Sequence, residues 1–133
     1  MDHSLLPNIY HFISGLDPFD KLSDKLLENI SRYITISYLA KGENISAEQL
    51  SQGYLYIIRT GAIEQLELNG DFRARLDQGD VFGFTMVVDR SVQKFKARAL
   101  ENTLLYMLPS NRFRELNQGN RSFHDVIDYQ LQV

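Results

Sequence analysis

The sequence predicts a mainly β protein with flanking helices, a rolled β-sandwich held between N-terminal and C-terminal helices. Short runs of β-branched and aromatic residues, each of strand length, recur between glycines from residue 33 to residue 108. An Asn69-Gly70 pair sits between two alternating runs, the strongest local hairpin signal in the chain. Stripes at helical spacing occur only at the two ends.

Leu5, Ile9, Phe12, Ile13 and Leu16 form the first helical stripe, within 4–16, with Pro7 in its first turn. Gly15 and Asp17-Pro18 stop it. Ser23 is placed to cap a second helix, with Asp24 in its first turn and Leu26, Leu27 and Ile30 along its stripe. Residues 33–39 read as the first strand, with Lys41-Gly42 turning out of it. Residues 43–52 are polar except for anchors such as Ile45 and Leu50, and predict a short strand followed by a loop. Residues 54–60 form an almost continuous apolar run, which Gly61 divides from 62–68. The hairpin strands are 63–68 and 72–76, joined through Asn69-Gly70 as a two-residue turn with positive φ at both positions. The last strand is 103–108, closed by Pro109. Beyond it, 109–116 predicts a short helix, and Ser122 caps a final one with Phe123, Val126, Ile127 and Leu131 on one side.

The most informative stretch is 79–100, GDVFGFTMVVDRSVQKFKARAL. It opens on a turn glycine, passes Phe82-Gly83-Phe84, enters a short apolar piece from Thr85 through Met86 to Val88, and resumes alternation at Gln93. A glycine before a short helical turn lets backbone N–H groups converge on an anion. The other reading of Gly83 is a tight corner after a strand. From Lys94 onward, Lys94, Lys96 and Arg98 alternate with Phe95, Ala97 and Ala99, as the two faces of a strand do.

Lys41-Gly42-Glu43, the run LYIIRTGAI at 55–63 and GDVFG at 79–83, in this order of elements, resemble the cyclic-nucleotide-binding domain of the catabolite-activator and cyclic-nucleotide-gated families. The resemblance spans nearly the whole chain. It implies a jelly-roll-like β-roll, or double-stranded β-helix, at 34–108, with N-terminal helices at 1–33 and C-terminal helices at 109–133, as one domain. It also implies a phosphate-binding cassette reading roughly Phe-Gly-Glu, an apolar run, then Arg, Ser or Thr, and Ala. In that family the glutamate takes the ribose hydroxyl and the arginine the cyclic phosphate.

Without a gap, Phe82-Gly83 opens the cassette and Ala99 closes its following strand. Phe84 then stands where the glutamate belongs and Gln93 where the arginine belongs. Lys94 takes the small hydroxyl position and Phe95 the alanine. A charge-assisted arginine–phosphate contact contributes roughly 1.5 to 3 kcal/mol, so its loss costs about ten- to over a hundredfold in affinity. The expected site is therefore a degenerate one, built from Phe82, Gly83, Phe84, Thr85, Met86, Arg90, Gln93, Lys94 and Phe95, with aromatic bulk in the ligand's space. A gapped alignment moves Arg90 or Lys94 into the phosphate role instead, and genuine cAMP or cGMP binding is the alternative.

The resemblance further implies a regulatory, non-catalytic module needing no cofactor. Its partners would be a nucleotide-like small molecule, an effector domain later in the same chain, and a second subunit through 120–133. The last helix has two readings: it packs back on its own roll, or it closes over ligand and pairs with a partner. Some bacterial members that resemble this chain precede paired CBS domains and a nucleotidyltransferase-like unit.

Composition fits that picture and narrows the alternatives. At 133 residues, 44% hydrophobic and 23% charged, the chain has the make-up of one soluble domain. Lys+Arg 14 against Asp+Glu 17 gives no electrostatic reason to expect nucleic-acid binding. With Cys 0, neither a disulfide framework nor a thiolate metal site is available. The N-terminus lacks a basic, apolar leader and no run reaches membrane-spanning length, so a cytoplasmic location is expected.

His3, His11 and His124 fall on the terminal helices, without H-x-H or H-E-x-x-H spacing. This argues against a metal-dependent cupin enzyme, which draws its histidines from neighbouring strand positions. No G-x-S-x-G elbow, P-loop or G-x-G-x-x-G is present. Asp77, Asp80 and Asp89 are read as turn residues, and Arg59, Asp128 and Tyr129 as surface.

Overall fold

The computed structural model describes residues 6–17, 19–83, 95–109 and 111–112. Helix α1 (Leu6–Ser14) is followed by a 3-10 turn at Phe19–Lys21 and helix α2 (Asp24–Ser31). Ser23 caps α2 as its sequence position predicts, with extended backbone and its Oγ accepting a hydrogen bond from Leu26 N at 3.3 Å. Asp24 then meets the positive end of the helix dipole. Its carboxylate also accepts a hydrogen bond from the Tyr10 hydroxyl at 2.9 Å, which ties α1 to α2 and raises the Tyr10 pKa.

Seven strands follow: β1 (Thr35–Leu39), β2 (Leu55–Thr60), β3 (Ala62–Leu66), β4 (Phe72–Asp77), β5 (Val81–Phe82), β6 (Lys96–Ala99) and β7 (Thr103–Leu108). They make two antiparallel sheets, ordered β1-β7-β2-β5 and β4-β3-β6. Central strands β2 and β7 are covered on both faces, which is why their sequences are apolar without alternation. Leu55, Ile57, Tyr106 and Leu108 meet Ile9, Ile13, Phe19, Leu27 and Ile30 of the helical layer. Tyr56, Ile58, Leu105 and Met107 face the other way, into the roll, against Ile63, Phe82, Phe95, Ala97 and Ala99. The sheet between helices and roll lumen thus joins two cores.

Several sequence expectations need correction. Residues 43–52 hold a single bridge, Asn44 with Arg98, and then helix α3 (Ala47–Ser51), not a strand and loop. Ser46 caps this helix, its Oγ accepting from Gln49 N at 3.1 Å, and Leu50 anchors it in the roll. The hairpin loop also has three residues, not two. Gly70 N donates to Glu67 O at 2.9 Å and Glu67 N to Asp71 O at 2.8 Å, with Gly70 at φ +97° and no non-glycine at positive φ among the described residues. Asn69 turns its side chain to use instead, its Oδ1 accepting from Asp71 N at 2.9 Å. Finally, β1 starts at Thr35 because Tyr33 lies in the turn that closes α2, its N–H donating to Ile30 O at 2.9 Å. The expected helices at 109–116 and from Ser122 lie outside the described residues, apart from a turn in which Arg112 N donates to Pro109 O at 3.1 Å.

Candidate functional site

The candidate cassette leaves β4 through a turn built by the two aspartates that the sequence assigns to turns. Asp80 Oδ2 accepts from Asp77 N at 2.7 Å, and Asp80 N donates to Asp77 O at 2.9 Å. Gly79 N and Asp80 O then bond Ile58 at 2.8 and 3.0 Å, which steers the chain alongside β2. There Val81 pairs with Ile57, and Phe82 with Tyr56.

Gly83 has the backbone conformation that a tight corner requires. Its φ is +99°, and a Cβ at this position would lie 2.7 Å from Tyr54 O and 3.2 Å from Tyr56 Cδ2. Only glycine fits both the conformation and the space. Phe84, Thr85, Met86, Asp89, Arg90, Gln93 and Lys94 lie outside the described residues, which resume at Phe95.

The described ends of the cassette meet inside the roll. Phe95 is 1% exposed, Phe82 3% and Tyr56 0%. Phe82 stacks on Tyr56 with ring centroids 4.9 Å apart at 12°, and Phe95 stands edge-on to Phe82 at 6.1 Å and 73°. Tyr54 adds a fourth ring, 6.4 Å from Tyr56 at 62°. The column carries two phenol hydroxyls, those of Tyr54 and Tyr56. The Tyr56 hydroxyl is buried without a hydrogen-bond partner, and burial pushes its pKa up to about 12. The Gln49 side chain opposes that shift, yet its Nε2 donates to Met107 Sδ at 3.7 Å and leaves the phenol unsatisfied.

After Phe95 the alternation runs as the sequence predicts: Ala97 and Ala99 are buried, Lys96 and Arg98 exposed. Arg98 is thereby kept out of the roll, its Nη2 bonding Glu64 Oε2 at 2.5 Å on the outer face of the second sheet. Arg59 corrects an expectation. It does not simply face solvent, because its guanidinium lies 4.3 Å above the Phe12 ring of α1. Glu43, from the Lys41-Gly42-Glu43 match, is a turn residue whose Oε1 accepts from Ala40 N at 2.8 Å. His11 is exposed on α1, and no group of three or more metal-ligating side chains occurs among the described residues.

The structure places Phe82 and Phe95, two of the candidate residues, against each other next to Gly83, and adds Tyr56, Gln49 and Met107, which the sequence reading did not name. The apolar run at 54–60 conceals which face each residue takes. The signal was the lone tyrosine among isoleucines in β2.

A chain arranged in this way has identifiable relatives. Residues 36–120 match the family model for the cyclic nucleotide-binding domain. A search of curated proteins gives no match. Among solved structures, cAMP-bound PfPKA-R aligns with TM-score 0.72 at 25% identity, covering 86% of this chain and 42% of that one. The regulatory subunit of a cAMP-independent protein kinase A from Trypanosoma brucei aligns with TM-score 0.84 at 14% identity, covering 98% and 48%. The corresponding Trypanosoma cruzi subunit, bound to guanosine, aligns with TM-score 0.72 at 15% identity, covering 96% and 48%. The chain spans about half the length of these kinase regulatory chains. The trypanosome likenesses speak for the fold, and the family match extends over most of the chain, from β1 through the cassette and past β7. With its β-roll, its left-handed cassette glycine and that match, the chain belongs to the cyclic nucleotide-binding domain family.

Proposed function

We propose that this chain is a non-catalytic sensor domain whose site no longer grips a cyclic nucleotide in the family's usual way, and that it forms the N-terminal part of a larger signal-transduction protein. One observation carries the reading. Phe95, which stands at the cassette's alanine, is wholly buried and closes an aromatic column with Phe82 and Tyr56. Phe84 and Gln93 at the glutamate and arginine positions support it from sequence. Such a domain senses another ligand, or serves as a packing and dimerisation unit through 120–133. Its effector lies later in the chain, with CBS and nucleotidyltransferase-like domains as the context the resemblance implies, in the cytoplasm.

A thermal-shift series with millimolar cAMP, cGMP and guanosine tests this, since a ligand at 100 times its Kd adds about 2.7 kcal/mol of stability. The expected result is no shift with either cyclic nucleotide. A large shift with cAMP would overturn the degenerate-site reading. The second reading, genuine cyclic-nucleotide binding with Arg90 or Lys94 on the phosphate, draws support from the 25% identity to a cAMP-bound chain. In that case Lys94→Ala or Arg90→Ala abolishes the shift. The cupin-type enzyme is the weakest rival, and stoichiometric metal by elemental analysis of the purified chain would revive it.

A further inference from the structure

The Asn69-Gly70 pair, which shapes the β3–β4 turn, also carries chemistry of its own. It is the one asparagine followed by glycine in the chain. In such a pair the Gly70 main-chain nitrogen can attack the Asn69 side-chain carbonyl carbon within a small ring, and no Cβ on the second residue hinders the approach. The turn displays the pair openly. Residues 67–73 are all exposed, and a Cβ built on Gly70 would meet nothing within 4 Å.

Hydrogen bonds in the turn act on the reacting groups in both directions. Asp71 N donates to Asn69 Oδ1 at 2.9 Å, which polarises the carbonyl and stabilises the negative charge that this oxygen takes up when its carbon is attacked. Asn69 Nδ2 donates to Asp71 Oδ2 at 3.1 Å, which holds the amide in one orientation. The opposing bond is that of Gly70 N, which donates to Glu67 O at 2.9 Å and must be freed before the nitrogen can attack. At an exposed hairpin tip, opening such a bond slows the step by only roughly two- to tenfold. Asparagines elsewhere meet greater obstacles. Asn29, Asn44 and Asn102 precede Ile30, Ile45 and Thr103, which are β-branched and buried, and Ile45 N is tied to Ala97 O at 2.9 Å.

We propose that Asn69 is a site of spontaneous deamidation in the folded chain, with water as co-reactant and isoaspartate as the main product. The Gly70 nitrogen loses its proton to solvent base and bonds to Asn69 Cγ. The Cγ–Nδ2 bond breaks, and the departing nitrogen takes a proton from water and leaves as ammonia. Water then opens the cyclic imide at either carbonyl, giving isoaspartate or aspartate, with nothing oxidised or reduced. Each conversion makes the chain one charge more negative than its formal −3. The new carboxylate falls between Glu67 and Asp71 in sequence, and isoaspartate adds a methylene to the main chain there. The turn that sets Leu66 opposite Phe72 is thereby loosened as the molecule ages.

Incubating the folded chain in neutral and in mildly alkaline buffer tests the site. Anion exchange counts the acidic form, and peptide mapping with isoaspartyl methyltransferase labelling places it. The expected result is one dominant acidic product at residue 69, formed roughly tenfold or more faster than at any other asparagine and faster at the higher pH. Asn69→Gln, whose longer side chain would have to close a larger ring, should keep the wild-type melt and lose the acidic form. The chain unfolded in urea gives the rate without the turn, and the folded chain should run within roughly thirtyfold of it. A larger gap would mean that the turn protects Asn69, and would overturn the proposal. So would a dominant acidic product at another asparagine, or one that persists in Asn69→Gln.

Discussion

Gly83 combines a left-handed backbone with a gap too narrow for a methyl group, the nearest atom being a main-chain oxygen that cannot move aside cheaply. Replacing it by alanine is expected to cost about 2 to 4 kcal/mol, since φ strain and a backbone clash add, and urea unfolding will measure it. Tyr56 behaves in the opposite sense. Its hydroxyl is desolvated without return, so Tyr56→Phe should stabilise the chain by about 1 kcal/mol at neutral pH. The same group makes stability depend on alkali. Its folded pKa, about 12, lies above the ordinary tyrosine value, so its contribution is complete below pH 10 and is lost as pH rises towards 12. That loss is on the order of 2 kcal/mol, and unfolding free energies across this window should fall for the wild type and stay flatter for Tyr56→Phe.

At the scale of elements, α2 stands on a local cap. Ser23→Ala removes the acceptor for Leu26 N and is expected to lower stability by about 1 kcal/mol in chemical denaturation. Signals of this kind were legible in the sequence because they act over three or four residues. The Ser23 cap, the alternation from Phe95 to Ala99 and the bounds of β7 could all be read directly. Where residues serve partners far along the chain, local reading failed. Residues 47–51 were concealed by their polarity, although Leu50 anchors α3 in the roll. Arg59 looked like a surface cation because nothing near it in sequence announces Phe12, its ring partner. Of the candidate site, Phe82-Gly83 was visible as a match to a cassette pattern and Phe95 as a departure from it. Tyr56 stood out only as a tyrosine in an apolar strand, a signal that does not say which face it takes.

Over the whole molecule, one sheet divides two cores, and the aromatic column belongs to the inner one. Phe95→Ala, which restores the alanine of the family's pattern, should cost about 3 to 5 kcal/mol, because the surrounding rings cannot collapse into the space. Thermal melts will show it as a large fall in Tm, and a nucleoside that occupies the space would recover part of that fall. The column has a consequence for how such a module can change over time. On the proposed reading, the roll's interior is finished by its own side chains, and its shape needs no solute to complete it. On that reading, turning it into a receptor would mean subtracting mass before adding charge, and the first step weakens the very framework on which the second must be built.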